Sequence, residues 1–99
     1  MVINLTNVDT TAENIDIVCA EIARLLKTKN KKYGDSALTP CKIFAKGDAP
    51  ELISIRIDDK LNRIINSDII RKNDVVDLAG YLVLLMISNE WFNLDELVD

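Results

Sequence analysis

The stretch Lys72–Ser88 constrains the chain most, reading Lys-Asn-Asp-Val-Val-Asp-Leu-Ala-Gly-Tyr-Leu-Val-Leu-Leu-Met-Ile-Ser. Asn73 has the chemistry of an N-cap, since its side-chain oxygen can accept from the free amides of a first helical turn. Asp74 and Asp77 follow where carboxylates suit the positive end of a helix dipole. A helix is therefore expected. Beyond Asp77, residues Leu78, Ala79, Tyr81, Leu82, Val83, Leu84, Leu85, Met86 and Ile87 leave no polar stripe, so the helix must be covered on more than one flank. A chain of 99 residues has a thin core for its surface and can hardly cover it alone. The expectation is a central helix buried partly by its own chain and partly by another copy, with acids at its solvent-reaching N-terminal end.

Two more helices are expected before it. Thr10-Thr11-Ala12-Glu13 has the form of a capping box, and Ile15, Val18, Ile22, Leu25 and Leu26 follow at helical spacing with Cys19 filling in, which gives a helix from about Ala12 to Lys29. The loop from Lys27 to Ser36 is basic, and Gly34 supplies the positive backbone angle that a helix stop often uses. Asp48-Ala49-Pro50-Glu51 opens the next helix, with Asp48 as cap and Pro50 in the first turn, where its missing amide costs nothing. Leu52, Ile53, Ile57, Leu61, Ile64 and Ile65 form its apolar face up to about Asn66. The long connection between these helices is expected to carry a turn of helix around Lys42–Ala45, and Val2–Val8 a short extended arm. The tail from Asn89 concentrates Trp91, Phe92, Leu94, Leu97 and Val98 among acids, suited to closing the chain's own core or docking into a neighbouring subunit. With Gly at 3 and Pro at 2, a turn-rich β-barrel is disfavoured. The fold class is all-α: one domain, residues 1–99, a small bundle of three main helices and a short C-terminal segment, completed by oligomerisation, with arm 1–10 and tail 89–99.

A net charge of −4 argues against direct binding to a nucleic-acid backbone, which needs clustered Lys and Arg. Cys19 and Cys41 form no secreted disulfide framework and read as small hydrophobes in a reducing cytosol. No basic segment precedes a long apolar run at the N-terminus, and Val75–Ile87 is too short to span a bilayer, so a cytoplasmic protein without membrane partners is expected. Histidine is absent, leaving any chemistry to carboxylates, Lys, Tyr or metal-bound water.

Arg56, Asp59, Lys60 and Arg63 share one side of the second long helix, and Asp74, Asp77 and Tyr81 one side of the third. If the two helices are antiparallel neighbours, Asp59 faces Asp77 across the groove and Asp74 sits lower, near the turn. Carboxylates converging from two helices suit Mg²⁺ or Mn²⁺, and Arg56, Arg63 and the loop lysines suit phosphate oxygens. Ordinary intrahelical ion pairs compete with this reading and account for Asp58 and Asp68 as solvated acids. Glu21 has two possible roles: joining the carboxylate group, or pairing with Arg24 or Lys27.

Three ordered segments go further: Lys29-Asn30-Lys31-Lys32-Tyr33-Gly34-Asp35-Ser36, Arg56-Ile57-Asp58-Asp59-Lys60-Leu61-Asn62-Arg63 and Asp77-Leu78-Ala79-Gly80-Tyr81. Spanning about Ile15 to Ile87, they resemble the series KNxDYGDS, RxxDKxxR, DLAGY of a MazG-like group, the nucleotide-modification-associated domain family. The resemblance implies the all-α nucleoside-triphosphate pyrophosphohydrolase superfamily: helical proteins, commonly dimers or tetramers, whose active members use Mg²⁺ on Glu and Asp pairs to cleave a nucleotide between its α and β phosphates. Carried across, Asp77 matches the aspartate of the second acidic pair and Asp74 takes the place of its glutamate. Asp59 remains from the first pair, and Arg56 stands where that pair's other glutamate belongs. Asp59 and Asp77 then become candidate catalytic residues, and Asp59, Asp74 and Asp77 candidate metal ligands. Lys29, Lys32, Tyr33, Asp35, Ser36, Arg56, Lys60, Arg63 and Tyr81 become candidate nucleotide contacts. Lys32 and Tyr33 would meet phosphate and base, and Gly80 would let helices pack closely beneath the site. The implied function is a metal-dependent pyrophosphohydrolase of a nucleoside triphosphate, canonical or modified. The alternative is a non-catalytic protein that sequesters a nucleotide or a cyclic-nucleotide signal.

Overall fold

Three helices carry the structure, a computed structural model that describes residues 8–98: α1 Val8–Tyr33, α2 Ala49–Ile65 and α3 Lys72–Ser88, with a 3-10 turn at Asp95–Leu97. No strand occurs among the described residues, so the chain is all-α as expected. The extended arm proposed for Val2–Val8 lies outside the described residues except at Val8, which already opens α1.

Each helix start tests a local rule. At α2, Asp48 is extended and its Oδ1 accepts from the Glu51 amide at 3.0 Å, with Pro50 in the first turn. At α1 the helix begins ahead of the Thr10 box, so Thr10 and Glu13 lie within it. At α3 the N-cap is Arg71, with no side-chain cap bond, and Asn73 falls inside the first turn. The first helical bond runs from the Val75 amide to the Arg71 carbonyl at 3.2 Å, which sets the cap two residues ahead of Asn73.

Helix α1 stops at Gly34, which takes φ 63, and the Asp35 amide donates back to the Asn30 carbonyl at 3.2 Å. Residues 41–48 contain no helical turn, so the one expected at Lys42–Ala45 does not form. Phe44, 98% exposed, offers it no apolar face to bury.

The inward stripe of α2 is Ile53, which is buried, with Ile57, Lys60 and Ile64 half-buried. Leu61 and Ile65, assigned to that stripe from sequence, are exposed instead. The stripe advances by four, three and four residues, which places a lysine on the inner face and rotates Leu61 and Ile65 off it. Helices α2 and α3 pair along their lengths as an antiparallel hairpin, and α1 packs against α3 alone. That second contact depends on Gly80, which is buried: a Cβ there would lie 2.8 Å from Leu26 Cδ2.

The core is small. Ile53 is the one fully buried hydrophobic side chain among the described residues. The radius of gyration is 15.9 Å, against about 13 Å for a compact chain of this length. Much of the excess is α1, which at about 1.5 Å per residue outreaches the hairpin. Ile22, Leu25 and Leu26 in its C-terminal half are partly covered, while Ile15, Ile17 and Val18 are more than half exposed. The tail does not close the chain's own core either, since Trp91, Phe92, Leu97 and Val98 stay in solvent. No described helix is long and apolar enough to cross a membrane.

Candidate functional site

Because α1 touches α3 but keeps away from α2, a cleft opens between α1 and α2 with α3 as its floor. It encloses about 590 Å³, within the range of small-molecule sites. Leu25, Leu26, Lys29, Asn30 and Tyr33 of α1 form one wall, and Leu52, Ile53 and Arg56 of α2 the other. The floor is Val76, Asp77, Gly80, Tyr81 and Leu84, and the connection after α1 contributes Ser36, Ala37, Pro40 and Cys41. An apolar base is thus rimmed by two tyrosines, two cations, a hydroxyl and one carboxylate.

That carboxylate is the best-defined polar group of the site. Asp77 Oδ2 receives Lys60 Nζ at 3.1 Å, and its Oδ1 receives Lys29 Nζ at 3.4 Å. Burial alone would raise the pKa of Asp77, but the bond from Lys60 and the nearby charges of Lys29 and Lys60 outweigh it and hold the carboxyl below its ordinary value. Lys60 is the more enclosed partner, with 15% of its side chain exposed against 49% for Lys29. Arg56, on the opposite wall, has no ion-pair partner among the described residues. The cleft therefore has more positive than negative charge in a chain whose net charge is −4.

The residues named from sequence divide into two sets. Lys29, Tyr33, Ser36, Arg56, Asp77 and Tyr81 line the cleft, and Lys60 reaches it through Asp77. The rest do not line it. Asp59 is exposed, one position out of phase with Lys60, so Lys60 and not Asp59 meets Asp77 across the groove. Asp74 is buried at the hairpin end, in a separate cleft with Arg63. Lys32 stands 5.6 Å from the ring centroid of Tyr33, a cation–π contact. Asp35, at φ 60, uses its backbone to shape the loop, its carbonyl accepting from the Leu38 and Thr39 amides. Glu21 pairs with Arg24 at 2.8 Å on the open surface, and Asp58 and Asp68 are exposed. Both cysteines are free thiols on exposed residues, so neither serves as a buried hydrophobe.

No protein-family model, curated protein or solved structure matches the chain.

Asn30, Pro40 and Cys41 were not foreseen at the cleft. Asn30 was legible, lying one turn before Gly34 and four residues after Leu26 on the inner face. Pro40 and Cys41 arrive through an irregular connection whose path no periodicity describes.

A divalent ion would need several oxygen ligands in one place. Among the described residues no three acidic or thiol side chains are grouped to hold a metal. Asp59 faces solvent, Asp74 belongs to the other cleft, and Asp77 is matched by two lysines. This arrangement does not fit Mg²⁺ or Mn²⁺, and no chemical step is derived through one.

Proposed function

We propose that this chain is a MazG-like nucleotide-binding domain that captures a nucleotide in the α1–α2 cleft. One observation supports this above the others: three segments far apart in sequence, around Lys29–Ser36, Arg56–Lys60 and Asp77–Tyr81, meet at a single opening. Lys29 and Arg56 are placed to take phosphate oxygens, Arg by its fork and Lys as a point charge. Tyr33, Tyr81 and the leucine base offer flat and apolar surface to a nucleobase. Asp77 keeps the two lysines ordered and is itself an acceptor once Lys29 turns to a phosphate. A cytoplasmic setting, and a dimer or tetramer that covers the exposed part of α1 and the tail, belong to the same reading.

Calorimetry with a panel of mono-, di- and triphosphate nucleotides tests it. Binding is expected to persist in EDTA and to weaken roughly tenfold or more in Arg56→Ala, the scale of one lost charge-assisted bond. No binding by any nucleotide, or binding only with Mg²⁺ present, would overturn capture as the function.

A second reading, metal-dependent pyrophosphohydrolysis, draws on one feature: an ionised aspartate inside the cleft, at the position the motif series gives to a catalytic acid. It requires further oxygen ligands to join Asp77. Pyrophosphate release with Mg²⁺, lost in Asp77→Asn, is its expected signature, and unchanged nucleotide recovered from the complex rules it out.

A further inference from the structure

The α2–α3 groove contains a second cleft, at its hairpin end, which the nucleotide reading leaves unused. It encloses about 350 Å³ and is walled by Arg63, Asn66, Ser67, Arg71, Asn73 and Asp74. The Lys60–Asp77 pair stands one turn along both helices, between this cleft and the larger one.

Asp74 is the unusual member. It is 5% exposed, yet no hydrogen bond or ion pair reaches its carboxylate among the described residues. A carboxylate is an acceptor only, and this one keeps that capacity open towards the cleft it lines. Two of the neighbouring polar groups are already engaged: the Asn66 side-chain amide donates to the Asn62 carbonyl at 2.9 Å, and the Ser67 hydroxyl to Ile69. Around this acceptor the remaining chemistry is donor-rich. Helix α3 opens on Arg71 with no side-chain cap, so its first-turn amides lack a capping acceptor at the positive end of a helix of 17 residues. Arg63 and Arg71 have no ion-pair partner among the described residues.

Guanidinium and amide donors set against one buried acceptor complement an oxyanion that carries its own proton. We propose that this cleft binds inorganic hydrogenphosphate, with Arg63, Arg71 and the α3 amides donating to its oxygens and Asp74 accepting from its P–OH. Sulfate has the same shape and no proton at neutral pH, so it would set anion against anion at Asp74. A phosphate monoester loses its last proton near pH 6, and above that pH it meets the same repulsion. The inference stands apart from the nucleotide reading, because it concerns other residues.

An NMR titration of the full chain at slightly alkaline pH and matched ionic strength tests it, following the amides of Lys72, Asn73 and Asp74 and the Nε–H groups of Arg63 and Arg71. Inorganic phosphate is expected to bind roughly tenfold or more tightly than sulfate or glycerol phosphate, the worth of one hydrogen bond to a charged group. Asp74→Asn is expected to abolish that preference. No saturable shift with phosphate, or equal binding of phosphate and sulfate by the wild-type chain, would overturn the proposal whether or not the variant folds. Shifts confined to Lys29 and Tyr81 would overturn it too while leaving nucleotide capture standing.

Discussion

Ile53 on α2 and Ile17 on α1 are the same side chain in opposite circumstances, 1% and 51% exposed. The first is enclosed where α2, α3 and the cleft meet. The second lies on a stretch of α1 that runs past the hairpin. Helical sequence patterning tells which residues share a face, but only tertiary geometry tells whether anything covers that face. Here the inner face of the hairpin is covered and the overhang is not.

The sharpest way to break that comparison is by truncation. Ile53→Ala should cost about 2–5 kcal/mol, the usual range for emptying an enclosed isoleucine site, measured by urea or thermal unfolding. Ile17→Ala should stay within about 0.5 kcal/mol, as at an open surface. Comparable losses at both positions would mean that the overhang is covered in solution, and sedimentation of the two variants would then show whether a second copy does it.

A smaller effect belongs to the ion pairs of Asp77, which tie α2 to α3 through Lys60 and α1 to α3 through Lys29. The folded pKa of Asp77 lies below its ordinary value, so its contribution is present above the unfolded pKa, about 4, and is lost as pH falls through the folded value. Lys60→Met should therefore lower stability at neutral pH by about 1 kcal/mol. It should also flatten the acid limb of a stability–pH curve, while Lys29→Met, at the more exposed partner, should do less. An acid limb unchanged by Lys60→Met would remove the bridge as a structural tie.

The smallest effect separates two helix ends of one design. Both α1 and α3 stop with a left-handed residue and an amide that reaches back five positions: Gly34 with Asp35 to Asn30, and Glu90 with Trp91 to Met86. Glycine takes that backbone without a steric cost, whereas glutamate does not. Glu90→Gly should stabilise by up to about 1 kcal/mol and Gly34→Ala should destabilise by a similar amount, both read as shifts in the unfolding midpoint.

How much of this was legible beforehand follows from what each signal measures. The three helices were, since apolar periodicity and the Asp48 cap are local properties that the folded chain retains. The central role of Lys72–Ser88 was as well, because a helix apolar all round has to be flanked. Helix starts were less so: the first bond of α3 falls on the Arg71 carbonyl, although Asn73 has the better capping side chain. The cleft was legible in its parts, Lys29, Tyr33, Arg56, Asp77 and Tyr81, but its carboxylate arithmetic was not. Asp59 and Lys60 are adjacent in sequence and about 100° apart on a helix, so the partner of Asp77 depends on a phase that spacing between polar residues alone does not fix. The stripe Ile53, Ile57, Ile64 would have fixed it, since Lys60 falls on that line and Asp59 does not.

The unequal connections between helices also set an order of assembly. Residues 66–71 join α2 to α3 over a short span, so the hairpin closes at little entropic cost and is favoured to form early. Helix α1 must then find α3 across the longer span 34–48, and its landing place is the Leu26–Gly80 contact. The larger cleft is consequently a late product of folding, whereas the small cleft at residues 63–74 is complete as soon as the first two partners meet.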